Sequence, residues 1–83
     1  MAIEYQKNTA RFDGVVGADE AETLLEWLQK HTKGKLALSA CSHLHAANLQ
    51  VLMAAKAQIS AWPEDEVLAA WLKSALAQQE LNQ

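Results

Sequence analysis

KLALSACSHLHAANLQVLMAAK, residues 35–56, is the stretch that decides the fold, because an apolar run, a polar segment and a helical pattern follow one another in it. Residues 35–39 are short and mostly apolar, which predicts a buried β-strand. Further along, Leu49, Leu52 and Met53 lie three and four positions apart, so they share one face of a helix. The stretch therefore predicts a strand that leads directly into a helix.

The junction between this strand and this helix, residues 39–48, is where we expect the functional contacts. A helix cap at His45 would place Leu44 and Leu49 at the two ends of a hydrophobic staple, which would hold the junction rigidly. Polar groups between the carboxyl end of a strand and the start of a helix are well placed to meet a partner.

The rest of the chain predicts the element order β-β-α-β-α-β-α. Alternating apolar residues predict two strands joined as a hairpin within residues 3–16, with a tight turn at Asp13-Gly14 as the alternative. A helix is predicted over residues 17–31, a short strand over 57–62 and a last helix after it. We therefore predict one α/β domain spanning the 83 residues, with a small mixed sheet, helices that lie together on one face, and a polar tail from residue 78 that frays.

The ends of the first helix carry specific signals. Asp19 and Glu22 have the spacing of a capping box, and Gly34 is available for a left-handed cap at the other end. Trp27 lies beside the apolar stripe of this helix, which predicts a residue at the rim of the core.

The last helix is predicted to begin at Pro63, with three acidic residues, 64–66, at its amino end. Leu68 and Trp71 then repeat with the helical period, and Val67 widens the stripe. All three are expected on the buried face.

Several classes of function are disfavoured by composition. The net charge is −3 and the seven Lys and Arg residues are scattered, whereas a nucleic-acid partner requires a clustered basic face. No apolar run approaches the ~20 residues that span a bilayer, and the start, MAIEYQKN, lacks the apolar region of a secretion signal. Cys41 is the only cysteine, so an internal disulfide is impossible. We therefore expect a cytoplasmic protein.

Residues 36–56 resemble the middle of a STAS domain, the fold of bacterial anti-sigma-factor antagonists. Residues 37–40, ALSA, stand where the family has D-L-S-G, and residues 45–49, HAANL, where it has D-S-S-G-L. Upstream, residues 12–14, FDG, and the helix after them fit the family's G-x-L-D and first helix. The resemblance implies a small signalling domain that binds a regulatory protein, either a kinase-like anti-sigma factor or a subunit of a membrane transport complex.

The family's regulatory hydroxyl is missing here. In the family a serine or threonine after the aspartate is phosphorylated by the partner kinase, whereas Ala46 and Ala47 have no hydroxyl and His45 replaces the aspartate. We expect no phosphorylation switch at this position. Ser39 and Ser42 are weaker phosphoacceptor candidates, since serines near turns usually form hydrogen bonds within the turn. The expected partner-binding residues are His43, His45, Ala46, Ala47, Asn48 and Gln50.

A metal site is one alternative at the same junction. In an extended chain Cys41, His43 and His45 would point the same way, and a thiolate with two imidazoles suits zinc. A fourth ligand is not evident in the sequence. We favour the interpretation that Cys41 packs as a small apolar residue and that no metal or other cofactor is bound.

A Cys-His nucleophile is the other alternative, with Cys41 beside His43 or His45 and Asn48 as a hydrogen-bond donor. A domain of this size uses most of its apolar residues for the core, which leaves little room for a substrate cavity. The glycines are also too far apart for a phosphate-binding loop. We therefore expect binding without catalysis.

Overall fold

The computed structural model describes residues 2–81 and the side-chain environments of residues 2–77. It has the predicted fold class, an α/β domain with a small mixed sheet and the order β-β-α-β-α-β-α. The elements are β1 (Ile3–Tyr5), β2 (Thr9–Val16), a 3₁₀ helix (Ala18–Glu20), α1 (Ala21–Lys30), β3 (Lys35–Leu44), α2 (Ala46–Ala55), β4 (Gln58–Ala61) and α3 (Glu66–Leu81).

The four strands lie side by side in the order β1-β2-β3-β4, with β1 antiparallel to β2 and the remaining neighbours parallel. The predicted hairpin is confirmed, and its turn is closed by a 2.8 Å hydrogen bond from the Gln6 amide to the Thr9 carbonyl. The alternative turn at Asp13-Gly14 is wrong, because both residues pair with β3 inside β2. Gly14 instead has a φ of +70°, a conformation that favours glycine, next to an irregularity in that pairing.

β3 is longer than predicted, since it ends at Leu44 and not at residue 39. From Ala37 to Ala40 it advances three residues while β2 advances two, and from Cys41 to His43 it advances two while β2 advances one. Each extra residue is a β-bulge, which shifts the alternation of side chains between the two faces. The buried positions of β3 are therefore spaced by two, three and three, at Leu36, Leu38, Cys41 and Leu44.

β4 pairs with only the first part of β3. Their pairing ends where Ala37 faces Ala61. Beyond that point the segment that leads into α3 approaches β3, and the Glu64 amide donates to the Ser39 carbonyl at 3.4 Å. On the edge away from β2, the last part of β3 therefore lies beside α3 and not beside β4.

The core lies between the sheet and a layer of helices in which α1 contacts α2 and α2 contacts α3. The opposite side of β1 and β2 is exposed and charged, with Arg11 within 4.0 Å of Glu4 and 3.5 Å of Asp13. Such exposed pairs contribute little to stability. The largest fully buried apolar side chains are those of Phe12, Val16, Leu24, Leu36, Leu38, Leu44, Leu52 and Leu72.

The predicted ends of the first helix are wrong in detail. The 3₁₀ turn precedes α1, Glu20 becomes its cap residue, and neither helix start has a side-chain cap bond, so no capping box forms. Gly34 has no positive φ. Its lack of a side chain makes room for Trp27 instead, because a Cβ at Gly34 would lie 2.7 Å from the Trp27 ring. Trp27 is half-buried, as predicted.

α3 begins at Glu66, so Pro63 precedes the helix and does not occupy its first turn. Asp65 caps it, and its Oδ1 accepts from the Leu68 amide at 2.9 Å. The helix continues to Leu81, so residues 78–81 of the tail predicted to fray are helical, while residues 82 and 83 lie outside the described residues. Among the described helices, none combines the length and the apolar character that crossing a membrane requires.

Candidate functional site

The junction between β3 and α2 is fixed by the backbone and the side chain of His45. Its amide donates to the Val16 carbonyl at 2.9 Å, which ties the end of β3 to the end of β2. Its ring Nδ1 accepts from the Ala47 amide at 3.0 Å, so His45 caps α2 as predicted. Leu44 and Leu49 on either side are both buried, as the staple requires.

The cap at His45 requires a neutral imidazole, because a protonated ring has no lone pair with which to accept. An imidazolium would also face the positive end of the helix dipole. In this respect the histidine differs from an aspartate, which caps a helix with a fixed negative charge.

Replacing His45 tests the cap directly. His45→Ala is expected to lower the free energy of unfolding by ~1 kcal/mol, the usual cost of losing an amino-terminal cap. His45→Asp should be at least as stable as the wild type, because its carboxylate accepts the same amide hydrogen bond. Urea denaturation followed by circular dichroism measures both. Equal stability of His45→Ala and the wild type would show that the ring does not hold the start of α2.

Asn48 holds the same junction from the inside. Its side chain is fully buried, and its Nδ2 donates to the Gly17 carbonyl at 2.8 Å and to the Val16 carbonyl at 3.3 Å. Asn48 therefore connects α2 to the end of β2 and is not accessible to a partner, in contrast to the contact role expected from the sequence. The helical spacing contains the signal, since Asn48 lies four residues before Leu52 and shares its buried face.

The other predicted contact residues are accessible to differing degrees. His43, His45, Ala46 and Gln50 are exposed, and Ala47 is half-buried. Together they present small and polar groups beside a rigid helix start. A partner could approach the backbone closely at the two alanines. Neither alanine has a hydroxyl that could be phosphorylated. Ser39 and Ser42 are exposed on β3 and lie in a strand, not in a turn.

The structure does not bring Cys41, His43 and His45 together as a metal site. The prediction that they point the same way is wrong, because the bulge after Cys41 leaves its thiol in the core while His43 is exposed on the strand. His45 is already engaged as the helix cap. Within residues 2–77, no group of three or more His, Cys, Asp or Glu side chains is arranged to hold a metal ion.

The Cys41 thiol is buried, with 2% of the residue exposed, and donates to the backbone carbonyl of His43 at 3.4 Å. Burial raises the pKa of this thiol, and the hydrogen bond opposes that effect only in part. A nucleophilic cysteine needs the opposite, a lowered pKa and access to its substrate. The environment of Cys41 is that of a structural core residue.

A groove between β3 and α3 was not predicted from the sequence. Its walls include Val67 and Trp71 of α3 and His43 and Leu44 of β3, and its volume is about 470 Å³. The prediction that Val67 and Trp71 belong to the buried stripe is wrong, since they are 81% and 41% exposed, while the residues that follow each of them, Leu68 and Leu72, are buried. The apolar stripe predicted for α3 was too wide for one buried face, and that excess width was the available signal.

No protein-family model matches the chain, and no curated protein matches its sequence.

Proposed function

We propose that this chain is a non-catalytic protein-interaction module resembling a STAS domain, and that it binds a regulatory protein through residues 43–48. The observation that carries the proposal is the fixed junction, in which His45 and Asn48 hold the start of α2 while Ala46 remains exposed beside it. A surface that is already rigid loses little conformational freedom on binding, which favours affinity.

Two further features support binding without catalysis at this surface. Ala46 and Ala47 offer no nucleophile and no phosphoacceptor, and the nearest thiol is buried with a raised pKa. The small side chains instead allow a partner backbone to approach the helix start. Binding at residues 43–48 is therefore not switched by phosphorylation within that segment.

The proposed partner is a kinase-like anti-sigma factor, as the resemblance to antagonists of such factors implies. A subunit of a membrane transport complex is the alternative partner for the same surface. A cytoplasmic location belongs to the same proposal, since the single cysteine is buried and cannot form the internal disulfides that are common in secreted proteins. Co-sedimentation of the protein with membranes from its native cells would favour the transport complex, and recovery in the supernatant with a kinase-like protein would favour the anti-sigma factor.

Ala46→Glu is expected to reduce capture of the partner at least tenfold, because it places a bulky charge at the centre of the proposed surface. The measurement is affinity capture from native cell extract, read by mass spectrometry, with the wild type beside the variant. Thr23→Glu is the matched control, since it adds the same charge in the exposed first turn of α1.

In urea denaturation, both variants should have the wild-type free energy of unfolding to within ~0.5 kcal/mol, as surface substitutions usually do. Capture of the same proteins by Ala46→Glu and by the wild type would reject residues 43–48 as the binding surface.

A further inference from the structure

The groove between β3 and α3, here called the α3 groove, exposes apolar side chains that the core does not use. Val67 and Trp71 form its outer wall, and the buried residues Leu44 and Leu68 lie beneath them. Because β4 stops pairing at Ala37, no strand of the described residues fills the space beside the end of β3 on the edge away from β2. The fold therefore leaves an apolar groove of about 470 Å³ open to solvent.

The rim of the α3 groove is acidic. Glu64, Asp65 and Glu66 are consecutive and exposed at the amino end of α3. Asp65 lines the groove and also caps the helix. The described residues that line the groove include no lysine or arginine. Lys73 is engaged with the Trp62 ring, 5.3 Å from its centroid. The partial positive charge of the helix end, about half a unit, offsets only part of three carboxylates.

The negative charge of the rim disfavours some of the molecules that could bind in the α3 groove. A second copy of the chain, joined symmetrically through the groove, would bring two acidic rims together, and the chain as a whole has a net charge of −3. An anionic lipid surface would be repelled in the same way. A cationic segment with apolar side chains complements both the negative charge of the rim and the apolar walls.

We propose that the α3 groove binds a short amphipathic helix of a protein partner, with apolar anchors on one face and Lys or Arg residues flanking them. Val67 and Trp71 are four residues apart and so lie about 6 Å apart along the axis of α3, which matches one turn of a second helix packed beside it. The inference rests on the proposed function and deepens it, because His43 belongs both to the groove and to the surface at residues 43–48.

The probe is a synthetic 16-residue peptide with leucines at helical spacing and lysines at the remaining positions. Its control peptide has glutamates in place of the lysines. Isothermal titration of the 83-residue chain with the lysine peptide is expected to give a micromolar Kd that weakens about tenfold between 50 mM and 300 mM salt, because exposed charges are screened. The glutamate peptide should not bind. Equal binding of the two peptides would overturn the proposal.

Two variants assign the binding to the groove. Trp71→Ala should weaken the lysine peptide at least tenfold, and the triple variant Glu64→Gln, Asp65→Asn, Glu66→Gln should weaken it similarly while retaining an asparagine cap. The double variant Glu22→Gln, Glu26→Gln removes exposed charge from α1 and should leave the Kd within twofold. An unchanged Kd in Trp71→Ala, or an equal loss in the α1 variant, would overturn the proposal.

Two further measurements separate the alternatives and the two proposals. A dimer abolished by Trp71→Ala, or binding of the wild type to anionic vesicles that Trp71→Ala loses, would overturn the cationic helix as occupant. Ala46→Glu should bind the peptide within twofold of the wild type, because Ala46 does not line the groove. If Ala46→Glu also retained its cellular partner, the surface at residues 43–48 would fail while the groove proposal stood.

Discussion

Asn48→Asp is expected to lower the free energy of unfolding by about 3 kcal/mol, the cost typical of an unpaired buried charge. The wild-type amide donates to the carbonyls of Val16 and Gly17. A carboxylate cannot donate, so both carbonyls would lose a partner and face a negative charge in the interior. The loss should shrink as the pH falls, because the introduced carboxyl group can donate one hydrogen bond once it is protonated.

Gln50→Glu is the matched control for this variant. It makes the same change from amide to carboxylate two residues further along α2, at an exposed position, and should alter stability by less than ~0.5 kcal/mol. Urea denaturation at neutral pH and at pH 4 compares the two. A loss below ~0.5 kcal/mol for Asn48→Asp would mean that the Asn48 side chain is not committed to the interior.

The behaviour of Asn48 also shows where prediction from the sequence reached its limit. The capped junction was predictable because Leu44, His45 and Leu49 form a local pattern within six residues. The inward position of Asn48 depends on two carbonyls more than thirty residues earlier in the chain, which a local pattern does not contain. Those distant carbonyls satisfy the Nδ2 of the buried asparagine, whereas its Oδ1 has no hydrogen-bond partner among the described residues.

The element order was predictable from hydrophobic periods, but the length of β3 was not. Residues 40–43, ACSH, combine small and polar side chains and have no alternating pattern, so they indicated a turn. Their strand conformation depends on pairing with β2, and the two bulges in that pairing set which side chains enter the core. The bulges also separate Cys41 from His43, which a regular strand would have placed on the same side.

α3 illustrates a different limit. Leu68 and Leu72 lie four residues apart and face the core, as the sequence predicted for Leu68. Trp71 has the same apolar character and nearly the same spacing, yet it is partly exposed because β4 is short and no other element of the described chain covers that side of the helix. Periodicity identifies an apolar stripe, whereas the tertiary neighbours decide how much of that stripe is buried.

The Cys41 thiol of the native protein is expected to react with a thiol reagent at least about 100-fold more slowly than the thiol of the unfolded chain. Reaction requires both access and the thiolate form. Cys41 is 2% exposed, and burial raises its pKa, so the native state restricts both. The rate of labelling is then set by the small fraction of molecules that are transiently unfolded, which for stable domains is about 10⁻³ or less. Mass spectrometry with iodoacetamide, in buffer and in urea, measures the ratio.

Moving the thiol to an exposed neighbouring position tests whether burial, and not the local sequence, slows its reaction. In the double variant Cys41→Ala, Ser42→Cys the thiol moves to the next residue, which is exposed on β3, and it should react at nearly the rate of the unfolded chain.

The raised pKa of Cys41 also fixes how stability depends on pH. The unfolded thiol ionises at its ordinary pKa, whereas the native thiol stays protonated to a higher pH. Cys41 therefore leaves the free energy of unfolding unchanged below the ordinary pKa and lowers that free energy as the pH rises above it. Fast labelling of wild-type Cys41 at neutral pH would contradict its burial and would restore the nucleophile and metal interpretations of Cys41, because both require an accessible thiolate.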